Sequence, residues 1–387
     1  MNAPSASSLS YPPGILSQPQ LEDAFAKGFL VSSAPLIDGQ IQPASLDLRL
    51  GAKAWRVQAS FLPGAEHRVA DKLADLAMHE IDLSNGAVLE KGCVYIAELM
   101  ESAYLPDGLT AIANPKSSTG RLDVFTRMIA DYADEFEMAP AGYQGGLYAE
   151  ISPRTFSVLV RQGSRLSQLR LRSGQAHISD DAMAALQDKA GLTHGEGIIH
   201  HRIKDGIPLS VDLSGKAHSL MPGLVGWRAR KHAGLIDVDQ VGVYPISAFW
   251  EKVTSADLNA GGLVLNPDEF YILASQEYVT VPAEYAAEMT AYDTRIGEFR
   301  AHYAGFFDPG FGMPELGAGE TRAVLEVRSH DVPFLIEEGQ TVCRLVYEPL
   351  SVVPEALYGA QGSGSHYQAQ GLQLAKHFMP IADGANS

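Results

Sequence analysis

An internal repeat limits the fold of this chain more than any other feature of its sequence. Residues 88–106, VLEKGCVYIAELMESAYLP, align without gaps on residues 264–282, VLNPDEFYILASQEYVTVP, at a constant shift of 176 positions. Further along, FSVLVRQGSRLSQLRL resembles PFLIEEGQTVCRLVYE, and each reads as a strand, a Gly turn and a second strand. This ordered series of matches predicts two weakly similar halves built on one plan.

The length of the chain agrees with two halves. Its 387 residues suit two domains of about 150–200 residues each. We predict a first domain over 1–200, including an N-terminal helix and a linker helix, and a second domain over 201–387 that ends in a lid.

Alternating apolar residues predict that most of the chain is β-strand. In TFSVLV, one face of the predicted strand carries Phe156, Val158 and Val160. In DVPFLI, the same pattern places three apolar residues together: Val332, Phe334 and Ile336. Many short strands separated by Gly and Pro favour a mainly β fold of two tandem barrels over a doubly wound sheet.

Two short helices interrupt this pattern. Ser17 is a predicted N-cap, with Pro19 in the first turn that follows. Ser179 is a second predicted cap, acidic residues follow it, and Gly191 ends that helix.

Charge and composition argue against several classes of function. The formal charge of −17 is spread along the chain without a basic block, so a nucleic-acid partner is not expected. No apolar run approaches the roughly 20 residues that span a bilayer, and the start has no signal-peptide pattern. Cys93 and Cys343, the only cysteines, lie 250 positions apart, which fits a reducing cytoplasm. The expected partner is a small molecule bound by a cytoplasmic protein.

A compact group of donors stands in NPKSSTGRLD. Lys116, Ser117, Ser118 and Arg121 combine two hydroxyls with two cations at the start of a short predicted helix, where free backbone N–H groups also point. The group could bind an anion, but in isolation such a segment is more often an ordinary helix cap with surface charges.

An acidic residue, Glu150, lies within an apolar strand-like run. Its neighbours are Leu147, Tyr148, Ala149 and Ile151. A strand Glu usually faces solvent, but one in such a run could be a partly buried general base with a raised pKa. The residues alone leave both readings open.

Three motifs in the first half together resemble a known family. I-x-P-A-S-x-D-L-R-L-G, K-S-S-x-x-R and G-Y-x-G-x-x-x-x-E follow in the order found in dCTP deaminases, of the dCTP deaminase/dUTPase superfamily. The resemblance implies dUTPase-like barrels of a distorted jelly-roll type. It also implies a catalytic group, which carries over to Ser117, Arg121, Ala130 and Glu150. The segment 131–141 is longer than in the family, and Pro140-Ala141-Gly142 replaces its Asp-Pro-Gly.

The second half keeps other parts of the family pattern. By resemblance, its counterparts of the catalytic and nucleoside-binding residues are Arg295, Ala304, Asp308 and Glu326. Ala291 stands where the family has its catalytic Ser, and Thr290 replaces the basic residue. The first motif is not recognisable in this half, and YPISAFWEK at 244–252 is its nearest candidate.

The C-terminal segment SHYQAQG, at 365–371, resembles the family's lid over the triphosphate. The resemblance assigns substrate binding to Tyr367, Gln368 and Gln370, together with Lys116, Ser118 and Asp308. Family active sites lie between adjacent barrels. One arrangement is therefore a composite site in which Ser117 and Arg121 face Asp308 and Glu326. The alternative pairs first copies only and uses Glu150.

The function implied by the resemblance is hydrolytic deamination of dCTP to dUTP, which supplies dUTP for thymidylate synthesis. Zinc deaminases use H-x-E with P-C-x-x-C, but His194-Gly195-Glu196 has no Cys pair to complete it. We therefore expect no protein-bound metal, a Glu base, and Mg²⁺ carried by the nucleotide.

Several other expectations stand beside this one. The superfamily implies a homo-oligomer, most simply three two-barrel chains, and leaves dTTP inhibition open. The alternatives are a dUTPase, a bifunctional deaminase and diphosphatase in which Asp131 or Asp308 activates water, and a non-catalytic nucleotide-binding regulator.

Overall fold

The computed structural model describes residues 11–195, 203–218, 221–290, 299–302 (backbone), 305–329, 331–360 and 371–381. The elements of the first half, in chain order, are β1 Gly14–Ile15, α1 Gln18–Ala26, β2 Leu30–Ser32, β3 Leu46–Leu48, β4 Leu50–Val57, α2 Val69–Leu76, β5 Ala77–Asp82, β6 Ala87–Leu89, β7 Val94–Tyr104, β8 Leu109–Pro115, α3 Ser117–Gly120, β9 Val124–Ala130, β10 Met138–Ala139, β11 Gln144–Pro153, β12 Val158–Val160 and β13 Ser167–Ser173.

The remaining elements are α4 Asp180–Ala190, β14 Thr193–His194, β15 Ile207–Ser210, β16 Leu224–Ala229, β17 Ile236–Asp237, α5 Ile246–Phe249, β18 Trp250–Thr254, β19 Gly262–Leu265, β20 Phe270–Val279, β21 Tyr285–Thr290, β22 Phe299–His302, β23 Phe306–Phe307, β24 Arg322–Ser329, β25 Phe334–Glu337 and β26 Thr341–Pro349. Single 3₁₀ turns lie at Ser255–Asp257 and Pro314–Leu316.

The two halves share one strand order, as the repeat predicts. The sheet β5-β4-β7-β11-β9 corresponds to β18-β16-β20-β24-β22, and β3-β13-β8-β10 corresponds to β15-β26-β21-β23. The pair β6–β12 likewise corresponds to β19–β25. Pairing within the large sheets is antiparallel. The mainly β fold is therefore confirmed, while closure of the sheets into barrels stays a prediction.

Side-chain contacts repeat at the same shift of 176. The Tyr95 hydroxyl accepts a hydrogen bond from the backbone N–H of Glu90 at 2.9 Å, and Tyr271 accepts one from Asn266 at 3.4 Å. In each copy the tyrosine hydroxyl accepts a hydrogen bond from a backbone N–H in the turn before the longest strand of that half. The similarity of the two halves therefore extends from the sequence to the geometry of this turn.

The prediction for one apolar strand is confirmed and that for the other is wrong in part. Phe156, Val158 and Val160 are all buried, as alternation in β12 requires. In the second copy Ile336 is buried, but Val332 is 51% exposed because β25 begins only at Phe334. Pro333 follows Val332, and its missing N–H suits the start of a strand rather than its interior.

Both predicted helices form where their caps place them. Ser17 precedes α1, and its backbone N–H donates to the Gln20 side chain at 3.2 Å. Ser179 accepts from the backbone N–H of Ala182, and Gly191 ends α4 with φ of 60°.

The sequence predicts α4 as a linker helix of the first domain, but it packs against the second half. Its residue Met183 packs in the core of the second half, and the Gln187 side chain bonds the backbone of Thr193 on β14. The second copy of the first motif also differs from expectation. β15 pairs with β26 as β3 pairs with β13, so 207–210 occupies that place, whereas 244–252 lies in α5 and β18.

The halves pack tightly against each other. The core of the first half continues into a cluster of second-half aromatic side chains, with Phe156 against Phe249 and Trp250 at ring separations of 5.6 Å. β12 also pairs in parallel with β17, and Arg172 bonds Glu348 at 2.5 Å. No helix in the described part of the chain is long and apolar enough to cross a membrane.

Candidate active site

The predicted donor group lies on a tight turn at the end of β8. Lys116 is the N-cap of the single-turn helix α3, Ser117 is its first residue, and Arg121 follows its last. The turn is closed by backbone bonds from Gly120 to Lys116 at 2.9 Å and from Arg121 to Ser117 at 3.1 Å. The four side chains are therefore held in a fixed relation to one another.

This turn forms one wall of a cleft between the two halves. The cleft has a volume of about 290 Å³. The first half lines it with Lys116, Ser117, Ser118 and Arg121, and the second half lines it with Gly305, Asp308, Tyr358 and Glu326. Within the chain, the structure thus brings together the residues of the predicted composite arrangement.

Arg121 and Glu326 face each other inside the cleft. Arg121 Nε lies 3.8 Å from Glu326 Oε1, and both side chains are almost fully buried. Burial raises the pKa of Glu326 to about 8, although the Arg121 cation opposes the shift. Arg121 Nη1 also donates to the backbone carbonyl of Gln373 at 3.0 Å. A buried carboxyl beside a guanidinium can take and return a proton near neutral pH.

Asp308 is held in place by an arginine of the other half. Arg170 of β13, which is fully buried, donates to Asp308 Oδ1 at 3.1 Å and to the carbonyls of Ala287 and Phe307 at 2.9 Å each. The pKa of Asp308 is raised by burial, and the positive charge of Arg170 offsets only part of this rise. This interdomain contact fixes the loop that carries Asp308 at the cleft.

Cations gather at the other end of the cleft. The carboxylate of Asp47 bonds Lys116 Nζ, and Arg165 Nη1 lies 3.2 Å from its second oxygen. Lys376 lines the same space, and burial together with the charges of Lys116 and Arg165 lowers its pKa. Three cations with one carboxylate among them are suited to an anionic group.

Glu150 lies elsewhere and does not line the cleft. It is buried and bound by Arg127, with Arg127 Nη2 at 2.6 Å from Glu150 Oε1. Arg127 stacks on Phe136, 3.4 Å from the ring centroid, and Phe136 belongs to the segment 131–141 that is longer than in the family. Ala130, at the buried end of β9, is also absent from the cleft lining.

Several predicted residues lie outside the described part of the chain. These are Arg295, Ala304, Tyr367, Gln368 and Gln370. Gly305, next to Ala304, does line the cleft. Asp131, the alternative water-activating residue, instead accepts a hydrogen bond from the backbone N–H of Val69 at 2.8 Å, at the start of α2.

The sequence prediction missed other residues of the cleft. Asp47 belongs to the first motif, which offered a signal that was not used. Arg165 lies in the loop before β13 and Lys376 in the C-terminal tail, and neither belongs to a motif. They converge only through the packing of the two halves.

The tail after residue 370 is part of the fold. Leu372, Leu374 and Phe378 are buried in the core of the first half, and His377 Nε2 lies 2.9 Å from the carbonyl of Val238. Burial lowers the pKa of His377 to about 4, so this ring is neutral near pH 7. Deleting the whole tail would therefore disturb the core as well as the cleft.

The described residues contain no group of three or more His, Cys, Asp or Glu side chains arranged to hold a metal ion. His194 of the H-x-E tripeptide is exposed on β14, and its Nε2 lies 3.0 Å from the Gly319 carbonyl. The cleft combines a buried carboxyl, a guanidinium and a serine hydroxyl. Such a combination is typical of the active site of a hydrolytic enzyme.

Comparison with known proteins makes this class specific. The model of the N-terminal domain of 2'-deoxycytidine 5'-triphosphate deaminase (DCD) matches residues 12–175, and that of the C-terminal domain matches 179–378. The chain therefore belongs to the dCTP deaminase family, in a form with both an N-terminal and a C-terminal DCD domain.

Solved and curated relatives agree. A crystal structure of 2'-deoxycytidine 5'-triphosphate deaminase from Agrobacterium tumefaciens is 52% identical, with a TM-score of 0.81, and the match covers 88% of this chain and 99% of that one. A dCTP deaminase of Halorubrum lacusprofundi is 32% identical over 159 residues, 40% of this chain and 75% of that protein. A dUMP-forming dCTP deaminase of Methanobrevibacter smithii is 33% identical over 128 residues, 32% of this chain and 61% of that protein.

Proposed function

We propose that this enzyme hydrolyses dCTP to dUTP and ammonia in the cleft between its halves, with Glu326 as the general base and without zinc. The observation that carries the proposal is that Glu326 lies opposite Arg121 in a cleft that Ser117 also lines. The reaction consumes one water, which adds to C4 of cytosine, and releases the exocyclic amino group as ammonia.

Glu326 would move the protons of this reaction. It takes one proton from water as the C4–O bond forms and passes it to N3. It then transfers the second water proton, from the new C4 hydroxyl, to the departing amine as the C4–N bond breaks. The ionised carboxylate is needed for the first step, and the raised pKa makes the protonated form a ready donor for the next. Arg121 and Ser117 hold the water and the developing charge, which a buried cation and hydroxyl stabilise more strongly than solvent would.

The cysteine content of the chain supports a zinc-free mechanism. The chain has two cysteines, 250 positions apart, so it lacks the Cys-x-x-Cys half of a zinc deaminase site. Mg²⁺ enters the proposal only as part of the nucleotide complex. Asp47 and Asp308 lie at the cleft, but each is already paired with cationic side chains.

Incubation of the pure protein with dCTP and Mg²⁺ tests the proposal. We expect ammonia and dUTP in equal amounts, unchanged by a zinc-selective chelator. Pyrophosphate with dUMP would instead support the bifunctional reaction, which the dUMP-forming relative makes worth measuring. Nucleotide binding without products would favour the regulator, and activity lost to the chelator and restored by zinc alone would contradict the zinc-free mechanism.

The cationic end of the cleft is the proposed triphosphate site. Lys116, Arg165 and Lys376 surround Asp47, and Ser117 and Ser118 add hydroxyls from the turn. We expect Arg165→Gln and Lys376→Gln each to raise KM for dCTP by about 10-fold, because each removes a charge-assisted bond to phosphate. kcat should change little, since bonds to the phosphates are made equally before and during the reaction at C4.

Steady-state kinetics at several dCTP concentrations measure this effect. Lys231→Gln is the matched control, because that side chain is 61% exposed and lies outside the cleft. An unchanged KM in both cleft variants would contradict the assignment of the triphosphate to this end.

We also propose that the enzyme is a homo-oligomer, most simply of three chains, since the superfamily builds its sites between barrels. Within a single chain, Arg121 and Glu326 already face each other across the two halves. Inhibition by dTTP is a further proposal from the family resemblance.

A further inference from the structure

A second ion pair crosses the junction beside the proposed base. Asp123 follows Arg121 by two residues, and Arg328 follows Glu326 by two residues on β24. Arg328 Nη2 bonds Asp123 Oδ2, and it also donates to Thr155 Oγ1 at 2.9 Å. Thr155 Oγ1 in turn donates to Asp123 Oδ2 at 2.5 Å.

The pair is largely shielded from water. The Asp123 side chain is 1% exposed and that of Arg328 is 12% exposed. Asp123 has φ of 55°, in the left-handed region that residues other than Gly rarely adopt. Its backbone carbonyl accepts from Arg154 N–H at 2.8 Å, which ties this turn to the end of β11. Asp123 keeps this strained backbone conformation because Arg328 binds its side chain and Arg154 binds its carbonyl.

The strand geometry links this pair to the proposed base. Residues two apart on a strand point to the same face, so Glu326 and Arg328 project together from β24 toward the first half. Each meets a residue of one short turn, Arg121 at 3.8 Å and Asp123 by a direct bond. Any shift of this turn along β24 would move the guanidinium away from the carboxyl.

We propose that Asp123 and Arg328 are positioning residues, which set the distance between Arg121 and Glu326 across the junction of the two halves. The inference rests on the proposed role of Glu326. Neither residue lines the cleft, so both act through the groups they hold. Misplacement of a catalytic group by about 1 Å can cost about 10²-fold in rate, which makes such a clamp consequential.

The charges around Glu326 add an electrostatic consequence. It is faced by Arg121, which lowers its pKa, and by Asp123, which raises it. The Cys343 thiol of β26 lies in electrostatic range, and burial keeps it protonated by raising its pKa. His302 lies opposite Glu326 in the backbone register of β22. Removing the charge of Asp123 should therefore lower the pKa of Glu326.

The test is a double-mutant cycle with Asp123→Asn and Arg328→Gln. Each single variant is expected to lower kcat by about 10–100-fold, with KM for dCTP within about threefold. The double variant should be no worse than the single ones, because both remove the same clamp. Arg328→Lys keeps the positive charge but not the planar guanidinium, and its kcat should fall less than that of Arg328→Gln.

A second readout separates positioning from simple stability. In Asp123→Asn the pKa of Glu326, followed by ¹³C NMR of labelled glutamate and assigned with Glu326→Gln, should fall. The acidic limb of kcat/KM should move to lower pH with it. Arg228→Gln is the matched control. It breaks an Arg–Glu pair of 2.7 Å between β16 and β18, outside the cleft, and should change neither kcat nor this pKa.

Wild-type kcat in Asp123→Asn and Arg328→Gln, with an unchanged Glu326 pKa, would overturn the inference, as would additive losses in the double variant. If a single variant does not fold because one charge is left buried, the neutral double variant and Thr155→Val still test the clamp. If the wild-type enzyme releases no ammonia from dCTP, the proposed function fails. The NMR measurement then decides the inference separately.

Discussion

Glu326→Gln is expected to lower kcat by about 10²–10⁴-fold, while KM for dCTP stays within about threefold. Gln keeps the shape of the side chain and can bond Arg121, but it cannot accept a proton from water. The loss should therefore appear in the chemical step alone. Release of ammonia from dCTP, measured over a range of dCTP concentrations, separates kcat from KM.

Glu150→Gln is the matched control, since the two residues correspond at the shift of 176 positions. Glu150 is bound by Arg127 outside the cleft, so its loss should leave kcat close to wild type. Some loss of stability is expected, because Arg127, which is 25% exposed, would keep its charge with a weaker partner. The reverse pattern, with Glu150→Gln inactive and Glu326→Gln active, would favour sites formed between first halves. Wild-type kcat in both would remove Glu from the mechanism.

The pH dependence follows from the pKa of Glu326, which burial raises to about 8. The free enzyme needs this group ionised before water can be activated. The kcat/KM for dCTP should therefore fall as the pH drops below about 8. A profile that stays flat from pH 8 down to pH 5 would contradict a base with this pKa.

Ser117→Ala is expected to lower kcat by about 10²–10³-fold, the loss typical of removing one preorganised hydrogen-bond donor. The second copy is not expected to replace this hydroxyl, because the family resemblance places Ala291 where the catalytic Ser would stand. The variant should keep its fold, since Ser117 lies at the start of a one-turn helix closed by backbone bonds.

Thr290→Ala is the control for this prediction. It also removes a hydroxyl, from the corresponding segment of the second copy, where Thr290 Oγ1 donates to the Arg344 carbonyl at 3.1 Å. Kinetics of the two variants on dCTP, with thermal melting of each, provide the comparison. Near-wild-type turnover in Ser117→Ala would show that the hydroxyl has no part in the chemistry.

Features that depend on neighbouring residues were readable from the sequence. The caps at Ser17 and Ser179 act within one turn, so both helices form as predicted. The repeat at a shift of 176 is local in the same sense, because each copy contains its own strand–turn–strand signals. The donor turn at Lys116–Arg121 is also a local structure, and the short helix forms where the sequence predicted it.

Tertiary structure alone brought one of two equivalent glutamates to the cleft. Glu150 and Glu326 have similar apolar neighbours in sequence and occupy corresponding strands. The local sequence pattern therefore made them equally good candidates for the general base. In the first half Arg127 lies opposite Glu150 in the strand register and binds it. The junction of the halves instead places Glu326 against Arg121.

The cationic end of the cleft was likewise decided by packing. Asp47, Arg165 and Lys376 come from a strand, a turn and the C-terminal tail, far apart in the chain. Their meeting depends on contacts between elements distant in sequence, whose register and docking are set by burial of the shared core. The sequence determined which chemical groups the chain carries and the local turns that present them. Which of those groups share one cleft depended on how the two halves bury their apolar faces against each other.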